Sequence, residues 1–274
     1  MSFAQELQKA AQKHGQLCVG IDPHARLLNE WGLPDDVDGL VAFSDICVEA
    51  FAGHVAVVKP QVAFYERFGS KGFTVLEELI QRFRDAQTLV IADAKRGDIG
   101  STMQGYADAW LRPGSPLEVD ALTLTPFLGV GSLAPAIETA HEHGKGVFVM
   151  AANSNPEAQE FQSKQIDGTT IAQSMVDACE MLNAEYRSDA LHSGLGDVGI
   201  VVGATISYPL DFSGFTGPVL MPGVGAQGAS FSDVRSIAGR RLEQFYPNMS
   251  RGILAAGPDH VELRKRAVDL ANWK

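Results

Sequence analysis

Short, nearly continuous apolar runs rich in β-branched residues alternate along this chain with segments whose apolar positions recur at helical spacing. The runs are LCVGID (17–22), VAVVKP (55–60), TLVIADAK (88–95), ALTLTP (121–126), GVFVMAA (146–152), VGIVVGAT (198–205), PVLMPGVG (218–225) and GILAAG (252–257). Unbroken apolar character marks parallel strands that are covered outside and packed inside. Between them, 73–86 carries Val75, Leu79 and Phe83 on one stripe, with Glu77, Glu78 and Arg82 left for solvent. A second helix is predicted over 43–53, with Ser44 as N-cap and Gly53 as C-cap candidates. Segments 170–186 and 261–273 predict two more. Eight such alternations predict an α/β fold, a closed (β/α)8 TIM barrel forming a single domain over 1–274. The alternative is a doubly wound open sheet. That fold calls for a phosphate fingerprint after its first strand, and VGIDPHARLL (19–28) has no G-x-G-x-x-G.

One connection stands out. The stretch 153–197 is longer than a minimal crossover, and NSNPEAQEFQSKQIDG (153–168) has no apolar periodicity. Long polar loops on barrels often serve as lids or binding loops.

Charge narrows the partners. The 274 residues carry a net charge of −11 and no Lys/Arg block, which argues against nucleic acid. A local cationic pocket can still hold a small anion. MSFAQELQKAAQKHGQ (1–16) lacks the apolar core of a signal peptide, and no run reaches membrane-spanning length. The expectation is a cytoplasmic protein. Cys18, Cys47 and Cys179 are odd in number and widely spaced, which favours buried free thiols over disulfides or zinc.

Barrel active sites form where strands end. The first run ends in Asp22 and the second reaches Lys59. The third carries Asp93 and Lys95, with Asp98 just beyond. Asp93 and Lys95 share a side of their strand, with Ala92 and Ala94 facing the other way. A lone Asp-x-Lys is most simply a solvated ion pair. Adding Asp98 and the strand-end Lys59 shifts the reading to an alternating charge network with chemistry to perform. PGVGAQG (222–228), after the seventh run, lets backbone N–H groups approach an anion. Arg251, next to the eighth run, offers a bidentate contact to the same anion. His141 and His143 are two apart in a predicted helix and do not share a face, so metal ligation is not expected. His24 is open between a ligand contact and an exposed loop residue.

DAKRGDIGST (93–102) resembles the signature D-x-K-x-x-D-I-x-x-T of the orotidine 5′-phosphate decarboxylase family. VGID (19–22), VVKP (57–60), MPGVGAQG (221–228) and SRGI (250–253) resemble its site segments in chain order. KPQVAFYE and GIDPH are similar to its longer bacterial subgroup. The resemblance implies loss of CO2 from orotidine 5′-phosphate to give UMP, the last step of de novo pyrimidine synthesis. It implies no metal, no organic cofactor, and a homodimer with sites at the subunit interface. By position, it implies that Lys95 protonates C6 and that Asp93 lies beside the substrate carboxylate. Lys59 would bridge Asp93 and the ribose, and Asp22 would contact the ribose. Asp98, Ile99 and Thr102 would reach into the partner's site. Gln227 and Arg251 would hold phosphate, and Ser154 would meet the pyrimidine. Two other classes stay open: an Mg²⁺-dependent sugar-phosphate enzyme on a related barrel, and a silent phosphate-binding barrel.

Overall fold

The computed structural model describes residues 1–186, 194–225 and 228–274. Eight parallel strands close into a barrel: β1 Cys18–Ile21, β2 Val57–Pro60, β3 Leu89–Arg96, β4 Ala121–Leu124, β5 Gly146–Ala152, β6 Val198–Val202, β7 Val219–Pro222 and β8 Phe245–Met249. They pair in sequence order, and β8 returns to β1 through Cys18↔Asn248 and Val19↔Met249. The predicted (β/α)8 barrel is therefore the fold.

Two layers of apolar packing hold it. Outside the strands, Val19, Ile21, Val58, Val90 and Ala92 pack with helix residues such as Leu40, Phe43, Leu79 and Phe83, all buried. Inside, Cys18, Val57, Ile91, Ala121, Phe148, Val201, Leu220 and Tyr246 form the lower filling, one from each strand. The N-terminal helix Phe3–His14 closes the bottom by burying Phe3 and Leu7 against that filling. Phe3 meets Phe148 edge to face, with ring centroids 5.9 Å apart. Gly146 makes room for it, since a Cβ there would lie 2.2 Å from the Phe3 ring.

Because side chains alternate along a strand, each inward stripe continues two residues at a time toward the rim. Val57 leads to Lys59 and Gln61, Ile91 to Asp93 and Lys95, Ala121 to Thr123 and Thr125. Cys18 leads to Gly20 and Asp22, and Tyr246 to Asn248 and Ser250. The interior is thus apolar below and polar above.

Three expectations need correction. GILAAG (252–257) is not the eighth strand; its first residues lie in the short helix Arg251–Leu254. The true β8 is FYPNM, which places Arg251 beyond a strand end, on the site side of the barrel. Helix 43–53 begins earlier, as Val37–Phe51, capped by Asp36, whose carboxylate accepts from the Gly39 N–H at 3.0 Å. Ser44 lies buried inside that helix, within 3.4 Å of the Tyr65 hydroxyl. Gly53 does sit just past the end, at φ +74°. The polar connection after β5 holds a helix, Pro156–Gln162, and a small antiparallel hairpin pairing Gln165 with Thr170. All three cysteines are buried and unpaired by disulfide.

Candidate active site

Asp93 is the centre of the rim. It is 8% exposed, on a strand whose neighbours Ala92 and Ala94 anchor the opposite face. Its Oδ2 accepts from Lys59 Nζ at 2.5 Å and from Gln61 Nε2 at 2.9 Å. Its Oδ1 accepts from Lys95 Nζ at 2.5 Å and from the Thr123 hydroxyl at 3.2 Å. Burial by itself would raise the Asp93 carboxyl, but Lys59 and Lys95 hold it well below the usual carboxylate range. Burial would likewise lower Lys59, which is 5% exposed, yet Asp93 and Asp22 raise its ammonium above lysine's ordinary value. Each ion keeps its neighbour charged in a place where one alone would not stay ionised.

Lys95 departs from the strand that carries it. Its φ is +48°, in the left-handed region that non-glycine residues rarely occupy. The pairing of β3 with β4 shifts register between Ala92 and Arg96 at the same place. The strand bends here, and the Lys95 side chain, 41% exposed, stands at the mouth while its ammonium stays on Asp93. Strain of this kind gathers at functional sites.

One pocket is lined by Asp22, Lys59, Asp93, Lys95, Ser154 and Arg251 among others. Six of the residues singled out from the sequence therefore meet. Among the described residues, Asp22 Oδ1 and Ser250 Oγ are buried there without a hydrogen-bond partner, so the wall presents groups suited to a polyhydroxylated ligand. Beyond β7, Gly223 and Gly225 adopt φ of +105° and +79°, which keeps the backbone of this loop open to an anion. Gln227 lies outside the described residues.

Asp98, Ile99 and Thr102 do not line this pocket. Asp98 accepts from the Ile99 N–H at 2.8 Å, and Ile99 is 61% exposed at the start of the helix Gly100–Trp110. His24 does not line this pocket; its Nδ1 accepts from the Leu27 N–H and caps the helix Ala25–Glu30. His141 stacks on Tyr186. No group of three or more His, Cys, Asp or Glu gathers among the described residues.

Gln61, Thr123, Asn248 and Ser250 belong to the pocket and were not anticipated. The signal was the inward stripe itself. Extending it on β2 and β4 reaches Gln61 and Thr123, whereas Asn248 and Ser250 follow only once β8 is placed at FYPNM.

The chain matches the family model "Orotidine 5'-phosphate decarboxylase / HUMPS family" over residues 15–266. A Corynebacterium glutamicum protein named orotidine 5'-phosphate decarboxylase is 56% identical over 99% of this chain and 97% of its own. A protein of the same name from Salinispora tropica is 52% identical, covering 97% and 94%. A crystal structure from Streptomyces avermitilis superposes with a TM-score of 0.91 at 49% identity, covering 99% of this chain and 94% of that one. With a Lys–Asp–Lys chain of ions at the rim of a closed barrel and kinship along nearly its whole length, this chain belongs to the orotidine 5′-phosphate decarboxylase / HUMPS family.

Proposed function

We propose that this protein decarboxylates orotidine 5′-phosphate to UMP, with no metal and no organic cofactor. The observation that carries the reading is the four-fold saturated Asp93 carboxylate between Lys59 and Lys95. The C6–carboxylate bond breaks, CO2 leaves, and its electron pair stays on C6. A vinylic carbanion has no internal sink for that pair, so stabilisation must come from an adjacent positive charge. The Lys95 ammonium supplies the field and then the proton, which it later regains from water. Asp93, held ionised, lies beside the substrate carboxylate, and the like-charge crowding is relieved as CO2 departs. Lys59 holds Asp93 and meets the ribose, and Asp22 contacts the ribose from β1. Arg251 and Gln227 hold the phosphate, and Ser154 meets the pyrimidine. Binding energy from phosphate and ribose, remote from C6, organises the charged centre.

Asp98, Ile99 and Thr102 complete the site of a second copy in a homodimer. In support, these residues do not line their own pocket, and exposed apolar side chains stand on the same rim, Phe127 at 79% and Phe161 at 50%. The enzyme acts in the cytoplasm, in keeping with the absence, among the described residues, of any helix fit to cross a membrane.

The test is loss of orotidine 5′-phosphate absorbance on adding purified protein, with EDTA throughout. Conversion to UMP and CO2 is expected. A folded protein that leaves this substrate untouched but turns over a sugar phosphate when Mg²⁺ is added would overturn the reading.

A further inference from the structure

The bend in β3 leaves a gap in the ladder, and Thr123 of β4 and Thr125 just beyond its end fill it. Register shifts between Ala92 and Arg96, so the Lys95 peptide has no regular β4 backbone partner. Instead its N–H donates to the Thr123 hydroxyl at 2.9 Å, and its C=O accepts from the Thr125 hydroxyl at 3.2 Å. Residues 123 and 125 are two apart and share a face, so this edge grips both backbone groups of Lys95, one in each of the two peptides that flank its Cα. Thr123 does more. A hydroxyl that accepts from Lys95 has one proton left to give. Its two acceptors are Asp93 Oδ1 at 3.2 Å and the Ala92 carbonyl at 3.4 Å, and the nearer one is charged. Thr123 is 1% exposed and fixed by strand packing, so its hydroxyl cannot drift.

We propose that Thr123 is a positioning residue, tying the strained Lys95 backbone to the Asp93 carboxylate so that the ammonium stands where the proton is delivered. The assignment rests on the decarboxylase reading above. Without the tie, Lys95 can relax from φ +48° toward an ordinary strand conformation, and its Nζ moves off the reacting carbon. Displacements near 1 Å at a reacting centre cost up to about a hundredfold in rate.

The experiment compares wild type, Thr123→Val and Thr123→Ser. Valine keeps the shape and the strand preference and removes the hydroxyl; serine keeps the hydroxyl. For each, kcat and KM are taken from orotidine 5′-phosphate absorbance, UMP affinity from competitive inhibition, and folding from the thermal midpoint. The expected result is a fall in kcat of about tenfold to a hundredfold in the valine variant. Its KM and UMP inhibition should stay within about threefold, since phosphate and ribose contacts are untouched. Serine should recover most of kcat. A valine variant with wild-type kcat would overturn the proposal. So would equal losses in valine and serine variants, because hydroxyl loss could not then be the cause. A wild type that releases no CO2 would overturn the functional reading itself, which the control reveals before any variant is compared.

Discussion

Asp93 accepts four hydrogen bonds on a carboxylate with about four acceptor sites. Nothing is left over for a proton, and the folded state holds this carboxyl ionised. A carboxyl depressed on folding contributes stability at every pH above the ordinary carboxylate range, and that contribution is lost only as pH falls below it. Asp93 therefore sets no acid limb on kcat/KM near neutrality. Lys95 is the different member, bonded to Asp93 yet standing at the mouth. Lys95→Ala is expected to lower kcat by about 10³-fold or more. Its UMP affinity should remain within about tenfold of wild type, because the remote contacts persist. Steady-state kinetics with UMP inhibition checks both halves; near-normal turnover would remove Lys95 from the proton-donor role.

At the scale of elements, the lower barrel is built to be stable and the upper barrel to be charged. Phe3→Ala should destabilise the fold by about 3–5 kcal/mol, as a large aromatic is deleted from a closed cavity. Since Phe3 lies at the opposite end from Asp93, kcat should change little; denaturant unfolding and kinetics together separate the two effects. Glu118 joins three elements just before β4. It pairs with Lys145 at 2.9 Å and Arg84 at 2.6 Å and accepts from the Gly114 N–H at 2.8 Å. Burial opposes its charge, but those donors hold its carboxyl down to about 2, from 4.5. Its contribution is whole above pH 4.5 and fades toward pH 2. Glu118→Gln should cost about 2 kcal/mol at neutral pH, with the gap to wild type narrowing as urea midpoints are measured into that acid window. The strands were legible where apolar runs were clean, which covers seven of eight. FYPNM hid because Pro247 and Asn248 read against a central strand, and a proline there lacks a ladder donor. GILAAG was mistaken for it because apolar periodicity over so few residues does not separate strand from helix. The site was legible where charges ended strands, as with Asp22, Lys59, Asp93 and Lys95. Neutral partners such as Thr123 and Gln61 carried no comparable mark, and the left-handed Lys95 backbone follows from tertiary pairing with β4, which local sequence does not encode.

For the whole molecule, the site is a composite of distant segments. Asp22 and Arg251 are separated by most of the chain, and only closure of β1 on β8 brings them to one pocket. Within a single chain the ion pairs link Lys59, Asp93 and Lys95, and Asp98 does not line their pocket. If Asp98 serves a second copy, the lesions of Lys95→Ala and Asp98→Ala fall on different subunits of each site. Each variant alone should be nearly inactive. A mixed dimer then holds one site with both lesions and one with neither. Mixing equal amounts and allowing subunits to exchange yields about half mixed dimers, so activity should return to roughly a quarter of wild type. The measurement is turnover before and after exchange, with sedimentation to confirm the dimer. If the exchanged mixture is no more active than its parts, each site is built within one chain, and Asp98 must act, if at all, on its own pocket.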